Sequence, residues 1–245
     1  MFRTFARRIL RRHGFEATLM ASSEINMLGT MIRFHRVDTV LDVGANVGQF
    51  ATELRNRGFH GRIVSFEPLP AEHAQLTAAA AADPDWEVAP RAALGAQAGT
   101  VAIHVSGNSI SSSLLAMEPA HLRAAPESQY LSTVETPLVR LDTHALPYLQ
   151  PQSRCLLKID VQGYEDRVLA GASGMLDHVE GIYLELSLVP LYEGQLLFDA
   201  MRRDIEALGF DLWGLWPGFT DPASGRVLQV NGCFFRGDRM AFSPA

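Results

Sequence analysis

The hydrophobic positions of the chain follow two periods, and their order predicts strands and helices in alternation. Short apolar runs that end in a turn, as in "TVLDVGA", "GRIVSFEP" and "RCLLKIDVQG", are typical of buried parallel strands. Segments with helical spacing follow them, such as "QFATELRNRG", which Gly58 is placed to end, and "GQLLFDAMRRDIEALGF". This order predicts an α/β fold in which helices cover both faces of a mostly parallel sheet.

The remaining apolar segments predict strands in the middle and at the end of the chain. We expect "WEVAPRAAL" to form a strand, and "GTVAIHVSG" and "TPLVRLDTH" to form two more around a serine-rich loop. The tryptophan-rich segment "DLWGLWPGFTDPASGRVLQVNGCFFR" predicts a C-terminal antiparallel hairpin with a Pro/Gly/Ser turn. Since the sequence contains no internal repeat and no low-complexity linker, we expect one domain over residues 38–245.

The first 37 residues differ from the rest of the chain in charge. Residues 1–37 hold seven arginines against two glutamates, a net charge of +5, whereas the remainder carries −11. Within this stretch "MFRTFARRILRRHGF" places phenylalanine, isoleucine and leucine on one helical face and arginines on the other. We therefore predict a basic amphipathic helical extension. Docking on the acidic body or on a second subunit, as in a homodimer, is favoured over peripheral membrane contact, and nucleic acid is not expected as a partner.

Composition places the chain among globular proteins of a reducing compartment. With 47% hydrophobic and 20% charged residues, the chain can bury a core and is not expected to be disordered. Its two cysteines, Cys155 and Cys233, match no metal or redox spacing and are interpreted as core residues. No apolar run approaches the roughly 20 residues of a membrane-spanning helix, and no signal-peptide pattern follows the basic start. A cytoplasmic location is therefore expected.

Acidic residues accompany two of the predicted strands at the edge where α/β sheets bind nucleotides. In "LDVGANVGQF", Gly44 and Gly48 allow a close turn, but Asn46 stands where a dinucleotide fingerprint has glycine. Asp42 before the turn would repel a pyrophosphate and suits a ligand with an ammonium or sulfonium group. Glu67 in "SFEP" comes about twenty residues after the turn, where an acid accepts hydrogen bonds from ribose hydroxyls. The combination indicates S-adenosylmethionine rather than NAD.

The order of these motifs resembles a known family. "LDVGANVGQF", "SFEP", "SSSL", "KIDVQGYEDRVLAGA" and an acid in "IYLEL", within residues 38–190, resemble the FkbM-type methyltransferases. The resemblance implies the Rossmann-like class I methyltransferase fold and methyl transfer from S-adenosylmethionine to a hydroxyl of a sugar, glycolipid, polysaccharide or secondary metabolite. The residues expected to bind the cofactor are Asp42, Gly44, Ala45, Asn46, Gly48, Glu67 and Ser112. Two alternatives remain: methylation of a carboxyl or an amine, and a non-catalytic binding module that uses the basic N-terminal helix.

Attack by a hydroxyl requires a base or a metal ion, and carboxylates at the strand ends could serve either need. Asp160 ends the strand that holds Lys158, the only lysine of the chain, and Glu185 closes a neighbouring strand. The catalytic candidates are Asp160, Lys158 and His144, and His144 follows a predicted strand ending at Asp142. Asp160 and Glu185 are also the predicted ligands of a Mg²⁺ ion. The alternative is that Lys158 only neutralises Asp160, with which it shares one face of the strand.

Overall fold

The computed structural model describes residues 23–237, which fold around a seven-stranded sheet. Within these residues the strands are β1 Thr39–Val43, β2 Arg62–Phe66, β3 Trp86–Val88, β4 Ala93–Leu94, β5 Gly99–Ser106, β6 Tyr130–Val139, β7 Cys155–Ile159, β8 Val179–Ser187, β9 Phe210–Pro217 and β10 Gln229–Arg236. The α-helices are α1 Glu24–Phe34, α2 Gln49–Asn56, α3 Pro70–Ala80, α4 Pro119–Ala124, α5 Leu141–Ala145, α6 Glu165–Gly171 and α7 Phe198–Ala207. Short 3₁₀ helices cover Pro126–Ser128, Leu146–Tyr148 and Ser173–His178.

The central sheet has the strand order β3–β2–β1–β7–β8–β10–β9. Its first five strands are parallel, and β10 runs antiparallel to both β8 and β9. Every residue of β1 and β7 is buried, because helices pack on both faces of the sheet. The predicted α/β fold with a C-terminal antiparallel hairpin is confirmed. Within that hairpin, β10 lies inside the sheet and β9 forms its edge.

Each face of the sheet carries its own hydrophobic core. One core packs β1 and β7 against α5, α6 and α7. The other packs α1, α2 and α3 on the opposite face, where Val40 and Leu156 meet Leu28. Asp42 and Lys158 are partners in the β1–β7 register and point to this second face, two residues beyond Val40 and Leu156. The sheet therefore brings a carboxylate and an ammonium together where both strands end.

The middle of the chain departs from the predicted strands. Strands β4, β5 and β6 form a separate three-stranded sheet in the order β4–β6–β5, with β5 antiparallel to β6. The segment "WEVAPRAAL" therefore contributes to two sheets, because β3 pairs with β2 and β4 pairs with β6. The predicted strand "TPLVRLDTH" ends at Val139, since Leu141 and Ala145 are buried four residues apart on helix α5.

Helix α1 belongs to the same folded unit as the sheet. Leu28 and Ile32 are buried in the core of the second face, and the hydroxyl of Tyr183 donates to the carboxylate of Glu24. The rest of the predicted basic extension, residues 1–22, lies outside the described residues, so its helical form, its membrane contact and its role in a homodimer stay predictions. None of the helices between residues 23 and 237 has the length and apolarity that a membrane crossing requires.

Candidate active site

The turn after β1 brings the ends of two strands together. Gly44, Asn46 and Gly48 have φ values of +72°, +49° and +90°, a left-handed region that glycine and asparagine adopt more readily than other residues. A Cβ on Gly44 would stand 1.8 Å from the carbonyl oxygen of Asp160. A Cβ on Gly48 would stand 2.8 Å from the ring of Trp86. Both glycines are therefore required by close contacts within the protein, Gly44 against the residue after β7 and Gly48 against Trp86 of β3.

Glu67 lies directly after β2 and faces the turn. Its Oε2 accepts the N–H of Asn46 at 2.8 Å, and its Oε1 accepts the N–H of Leu69 at 2.9 Å. Burial raises the pKa of Glu67 to about 7, although these two hydrogen bonds act in the opposite direction. Since a carboxylate oxygen accepts two hydrogen bonds, each oxygen can take one more from a ligand. This geometry fits an acceptor for ribose hydroxyls.

Two cavities meet at the turn and form one cleft. The first, of about 80 Å³, lies beside Glu67, and we name it the Glu67 end. Its apolar wall includes Phe66, Leu69, Leu94, Ile103 and Leu114. The second, of about 230 Å³, lies over the ends of β7 and β8, and we name it the Asp160 end. Its wall includes Phe50, Lys158, Asp160, Tyr183, Glu185 and Asn231. The two ends adjoin each other, because Gly44, Asn46, Ile110 and Asp160 line both.

The side chain of Lys158 is buried beneath the turn. Its Nζ lies 3.0 Å from Oδ1 of Asp42 and 3.7 Å from Oδ2 of Asp160, and it donates to the carbonyl oxygen of Gly44 at 2.9 Å. Burial works to lower the pKa of Lys158, but the carboxylates of Asp42 and Asp160 outweigh it, and the pKa is raised. The predicted contact with Asp160 is present, but Asp42 is the nearer partner.

Asp42 lies beneath the turn rather than in the wall of the cleft. Its side chain is fully buried, and Oδ2 receives a 3.4 Å hydrogen bond from the hydroxyl of Ser65. It lines neither end of the cleft. Because its carboxylate is engaged by Lys158 and Ser65, Asp42 would support a bound cofactor through the turn and not by the direct contact that the sequence predicts.

Asp160 directly follows β7, Glu185 lies on the adjacent strand β8, and the side-chain amide of Gln162 joins the two. The Nε2 atom lies 2.7 Å from Oδ1 of Asp160 and 2.9 Å from Oε2 of Glu185, while Oε1 accepts the hydroxyl of Tyr192 at 2.7 Å. Burial, followed by the Asp160 and Glu165 carboxylates, raises the pKa of Glu185 well above its usual range. Both carboxyl groups line the Asp160 end of the cleft, so the pair can take a proton from a ligand bound there.

Two further residues of "KIDVQGYE", Glu165 and Gln162, belong to the site, and the sequence reasoning missed both. Glu165, at the start of α6, accepts the N–H groups of Val161 and Gly163 at 3.3 and 3.0 Å, and burial raises its pKa to about 7. The sequence holds a signal for Glu165, since an acid in the first turn of a helix commonly binds nearby N–H groups. Gln162 carries no such signal, because its partners Glu185 and Tyr192 lie far along the chain.

Two smaller predicted cofactor residues lie on the cleft. Ala45 lines the Asp160 end, and Ser112 lines the Glu67 end. The hydroxyl oxygen of Ser112 accepts the N–H of Ser106 at 3.1 Å, which ties the serine-rich loop to the end of β5. The structure thus collects all the predicted cofactor residues around the turn, with Asp42 below it.

His144 is separated from the other catalytic candidates. It lies on α5, its Nε2 is 3.2 Å from the carbonyl oxygen of Pro90, and it lines neither end of the cleft. The interpretation of His144 as a base assumed a strand that runs through Asp142. Because the strand ends at Val139 and a helix follows, the histidine packs against the ring of Phe66, outside the cleft wall, rather than beside Asp160 as the prediction requires.

The Glu67 end fits S-adenosylmethionine, whereas the Asp160 end does not fit Mg²⁺. An acid for the ribose, a tight glycine turn and an apolar wall for the adenine ring stand in the order that the cofactor needs. Residues 23–237 contain no group of three or more His, Cys, Asp or Glu arranged to hold a metal ion. The N–H₂ of Gln162 points at both predicted ligands, Asp160 and Glu185, and an N–H donor cannot bind a cation.

Comparison with known proteins agrees with this geometry. The family model described as the methyltransferase FkbM domain matches residues 42–212, well over half of the chain. No curated protein matches the sequence significantly.

Three solved structures resemble the chain at low identity. They are the Streptococcus pneumoniae protein Sp1610 (TM-score 0.49, 14% identity, 91% of this chain and 74% of that chain), a Burkholderia thailandensis 1,6-didemethyltoxoflavin-N1-methyltransferase (0.47, 10%, 87% and 78%) and the glycopeptide N-methyltransferase MtfA complexed with sinefungin (0.44, 12%, 91% and 89%). At these levels of similarity, neither the acceptors nor the chemistry of those proteins carries over to this chain.

The family match covers the turn at Gly44, Glu67 and both carboxyl groups of the Asp160 end. On that match, and on a cleft whose residues fit the cofactor, the chain belongs to the FkbM family of S-adenosylmethionine-dependent methyltransferases.

Proposed function

We propose that the protein transfers a methyl group from S-adenosylmethionine to a hydroxyl of a small-molecule or saccharide acceptor. The observation that carries the proposal is the pair of carboxyl groups, Asp160 and Glu185, in the part of the cleft that adjoins the cofactor residues. When bound, the cofactor supplies a methyl carbon on a positively charged sulfur. The protein then has to align an oxygen with that carbon and remove the proton of the hydroxyl.

The acid pair serves a need that is specific to a hydroxyl acceptor. An alcohol is a weak nucleophile, and a carboxylate within hydrogen-bonding distance can accept its proton while the oxygen–carbon bond forms and the carbon–sulfur bond breaks. We assign the first acceptance to Asp160, because the ammonium of Lys158 lies 3.7 Å from its Oδ2. The proton then leaves Asp160 for solvent, while Glu185, whose pKa is raised by burial and by Asp160, lies on the other side of the Gln162 amide. One proton is released for each methyl group transferred.

The rival acceptors fit this site less well. A carboxylate acceptor has no proton to lose, and Asp160 and Glu185 would repel it. An amine has to bind in its neutral form, and the proton that it carries after attack can leave once the reaction is over, so it needs a base during the attack itself less than a hydroxyl does. The alternative of a binding module depends on residues 1–22, which lie outside the described residues.

The test is a methyl-transfer assay with radiolabelled cofactor and a panel of acceptors. The panel holds neutral alkyl glycosides, fractionated glycolipids and polysaccharides, amines and carboxylic acids. We expect label in products that survive mild alkali, as ethers do and methyl esters do not. Label found in esters or in N-methyl groups would contradict the proposal.

Once an acceptor is found, Asp160→Asn should lower kcat/KM by about 10²–10⁴-fold, the usual contribution of a general base. The affinity for S-adenosylmethionine, measured by calorimetry, should change far less than kcat/KM, because Glu67 and the glycine turn keep their geometry in this variant. Asp177→Asn, which alters an exposed carboxylate on a 3₁₀ helix, is the matched control and should behave like the natural protein. Equal activity of the two variants would remove Asp160 from the chemistry.

A further inference from the structure

The amide of Gln162 occupies the place between two carboxylates that a cation could otherwise take. Its Nε2 lies 2.7 Å from an oxygen of Asp160 and 2.9 Å from an oxygen of Glu185. Both hydrogens of the amide nitrogen are engaged, one by each carboxylate. Two neighbouring carboxylates repel each other unless a positive or hydrogen-donating group stands between them. Here that group is a neutral side chain.

Tyr192 determines which way the amide points. Its hydroxyl lies 2.7 Å from Oε1 of Gln162, and the tyrosine is 1% exposed. Oε1 is the atom of this side chain that could bind a cation, and it is turned away from Asp160 and Glu185. If the amide were turned over, Oε1 would face two carboxylates, which the hydrogen-bond network disfavours strongly. The tyrosine hydroxyl therefore stabilises the donating orientation.

The backbone holds Gln162 in this position. Gln162 has φ +57° and Gly163 has φ +98°, and the hydroxyl of Ser113 donates to the carbonyl oxygen of Gln162 at 2.6 Å. A Cβ on Gly163 would stand 2.8 Å from the side chain of Tyr192, so the glycine lets the tyrosine pack directly on the turn. The backbone of the segment "QGY" thus places the Gln162 amide within hydrogen-bonding distance of both Asp160 and Glu185.

Lys158 supplies the positive charge that the amide lacks. Its ammonium lies 3.7 Å from Oδ2 of Asp160, the oxygen that Gln162 does not contact. The Asp160 carboxylate is therefore approached by a donor on one oxygen and by a cation of the protein on the other. Neither side of Asp160 needs a bound metal ion for its charge to be balanced.

We infer that Gln162, oriented by Tyr192, is a positioning residue that holds Asp160 and Glu185 together in place of a divalent cation and closes the pair to metal. The inference rests on the proposed function only in taking this pair as the proton acceptor. Its test needs no methyl acceptor, so it can fail or succeed independently of the methyl-transfer assay.

The experiment measures Mn²⁺ binding to the full chain, by electron paramagnetic resonance of the free ion and by calorimetry. The natural protein should show no saturable Mn²⁺ binding at this pair, so Asp160→Asn should leave its Mn²⁺ binding unchanged. Gln162→Glu exchanges the donor for a third carboxylate and should create such binding, with a Mn²⁺-dependent rise in melting temperature. Tyr192→Phe removes the hydrogen bond to Oε1, so the amide can turn over. This variant should also bind Mn²⁺, but more weakly than Gln162→Glu does. Tyr148→Phe alters a tyrosine that does not line the cleft and should match the natural protein.

Several results would overturn the inference. Mn²⁺ binding by the natural protein that Asp160→Asn abolishes would mean that the pair is a metal site after all. A Gln162→Glu protein that retains cofactor binding but takes up no Mn²⁺ would mean that the amide is not what excludes the ion. If Gln162→Glu does not fold, Tyr192→Phe carries the same comparison, and its failure to bind Mn²⁺ would remove Tyr192 from the arrangement.

Discussion

Lys158 joins two strands beneath the glycine turn, because its ammonium reaches Asp42 on β1 and the carbonyl oxygen of Gly44. An arginine would keep the charge, but its planar guanidinium is larger and cannot place one compact donor between these two groups. This geometry gives a physical reason for a single lysine in a chain with twenty arginines. The role is to position the turn, and contact with a reacting group is not required for it.

Replacing Lys158 should therefore affect stability as well as activity. Lys158→Met leaves the Asp42 carboxylate buried without a counter-charge and should lower the free energy of unfolding by about 3–5 kcal/mol in urea titrations. Adding Asp42→Asn to Lys158→Met should restore part of that loss, since the unpaired charge is then gone. Lys158→Arg should lose most activity, because the larger group displaces the turn. A Lys158→Arg protein with natural stability and cofactor affinity would contradict this role.

Glu67 should make cofactor affinity depend on pH. Its pKa is raised to about 7, and its charged form is the better acceptor for ribose hydroxyls. Affinity for S-adenosylmethionine should therefore fall by up to about tenfold from pH 8 to pH 6 as Glu67 takes up a proton. Calorimetry on Glu67→Gln should show weaker binding with a flatter pH profile. Glu53→Gln, on the exterior of α2 beside Arg57, should retain the slope, and an equal slope in both variants would rule out Glu67 as its source.

At the scale of secondary-structure elements, the cleft depends on how closely β1 and β7 end together. Gly44 and Gly58 both have positive φ, but only Gly44 has a neighbour, the carbonyl oxygen of Asp160, at the position of an added Cβ. Gly58 ends helix α2 and has no atom within 4 Å of that position. Substitutions at these two glycines therefore distinguish the cost of a left-handed backbone from the cost of separating two closely packed elements.

Gly58→Ala should cost about 1–2 kcal/mol of stability, the price of a left-handed backbone, and leave cofactor affinity unchanged. Gly44→Ala should cost more and should also abolish cofactor binding, because the turn has to move away from the end of β7. Urea unfolding and calorimetry on the two variants make the comparison. Equal stability losses with intact binding in both would show that the approach of β1 to β7 is unimportant for the site.

At the scale of the whole molecule, three buried acids make stability depend on pH. The pKa values of Glu67 and Glu165 are raised to about 7, and that of Glu185 is also raised, in each case chiefly by burial. The unfolded chain loses these protons near the usual glutamate pKa of 4.5, before the folded protein does. For Glu67 and Glu165 the stabilising effect is therefore complete below about pH 4.5 and is lost as the pH rises through about 7, and for Glu185 it is likewise lost only above the usual glutamate range.

We expect the free energy of unfolding to fall with rising pH in this window, by at most about 1.4 kcal/mol per pH unit for each group. Glu165→Gln keeps an oxygen for the N–H groups of Val161 and Gly163 but does not titrate. The slope of the free energy of unfolding against pH should therefore lose the contribution of this one group. Glu193→Gln, at an exposed position, should leave the slope unchanged. Urea titrations across the window provide the measurement, and a slope unchanged in Glu165→Gln would contradict this account.

Local patterns in the sequence encode the elements of the central sheet and the position of the cleft. Alternating apolar periods fixed the strands and helices of the central sheet, and the predicted α/β fold is confirmed. The glycines and acids around "LDVGANVGQF", "SFEP" and "KIDVQGYE" marked the strand ends where the cleft lies, because side chains after neighbouring parallel strands meet at one edge of a sheet. These properties depend on residues close together in the chain, so one sequence suffices to find them.

Which side chains face each other depends on the packing of distant segments of the chain. Lys158 pairs most closely with Asp42 because β1 and β7 are neighbours in register, and Gln162 bridges Asp160 and Glu185 because β8 and Tyr192 pack beside the turn. Helix α5 likewise placed His144 outside the cleft wall, and β4, β5 and β6 formed a sheet of their own. Each outcome depends on contacts between residues far apart in the chain, where burial and hydrogen bonding, rather than local periodicity, select the partner.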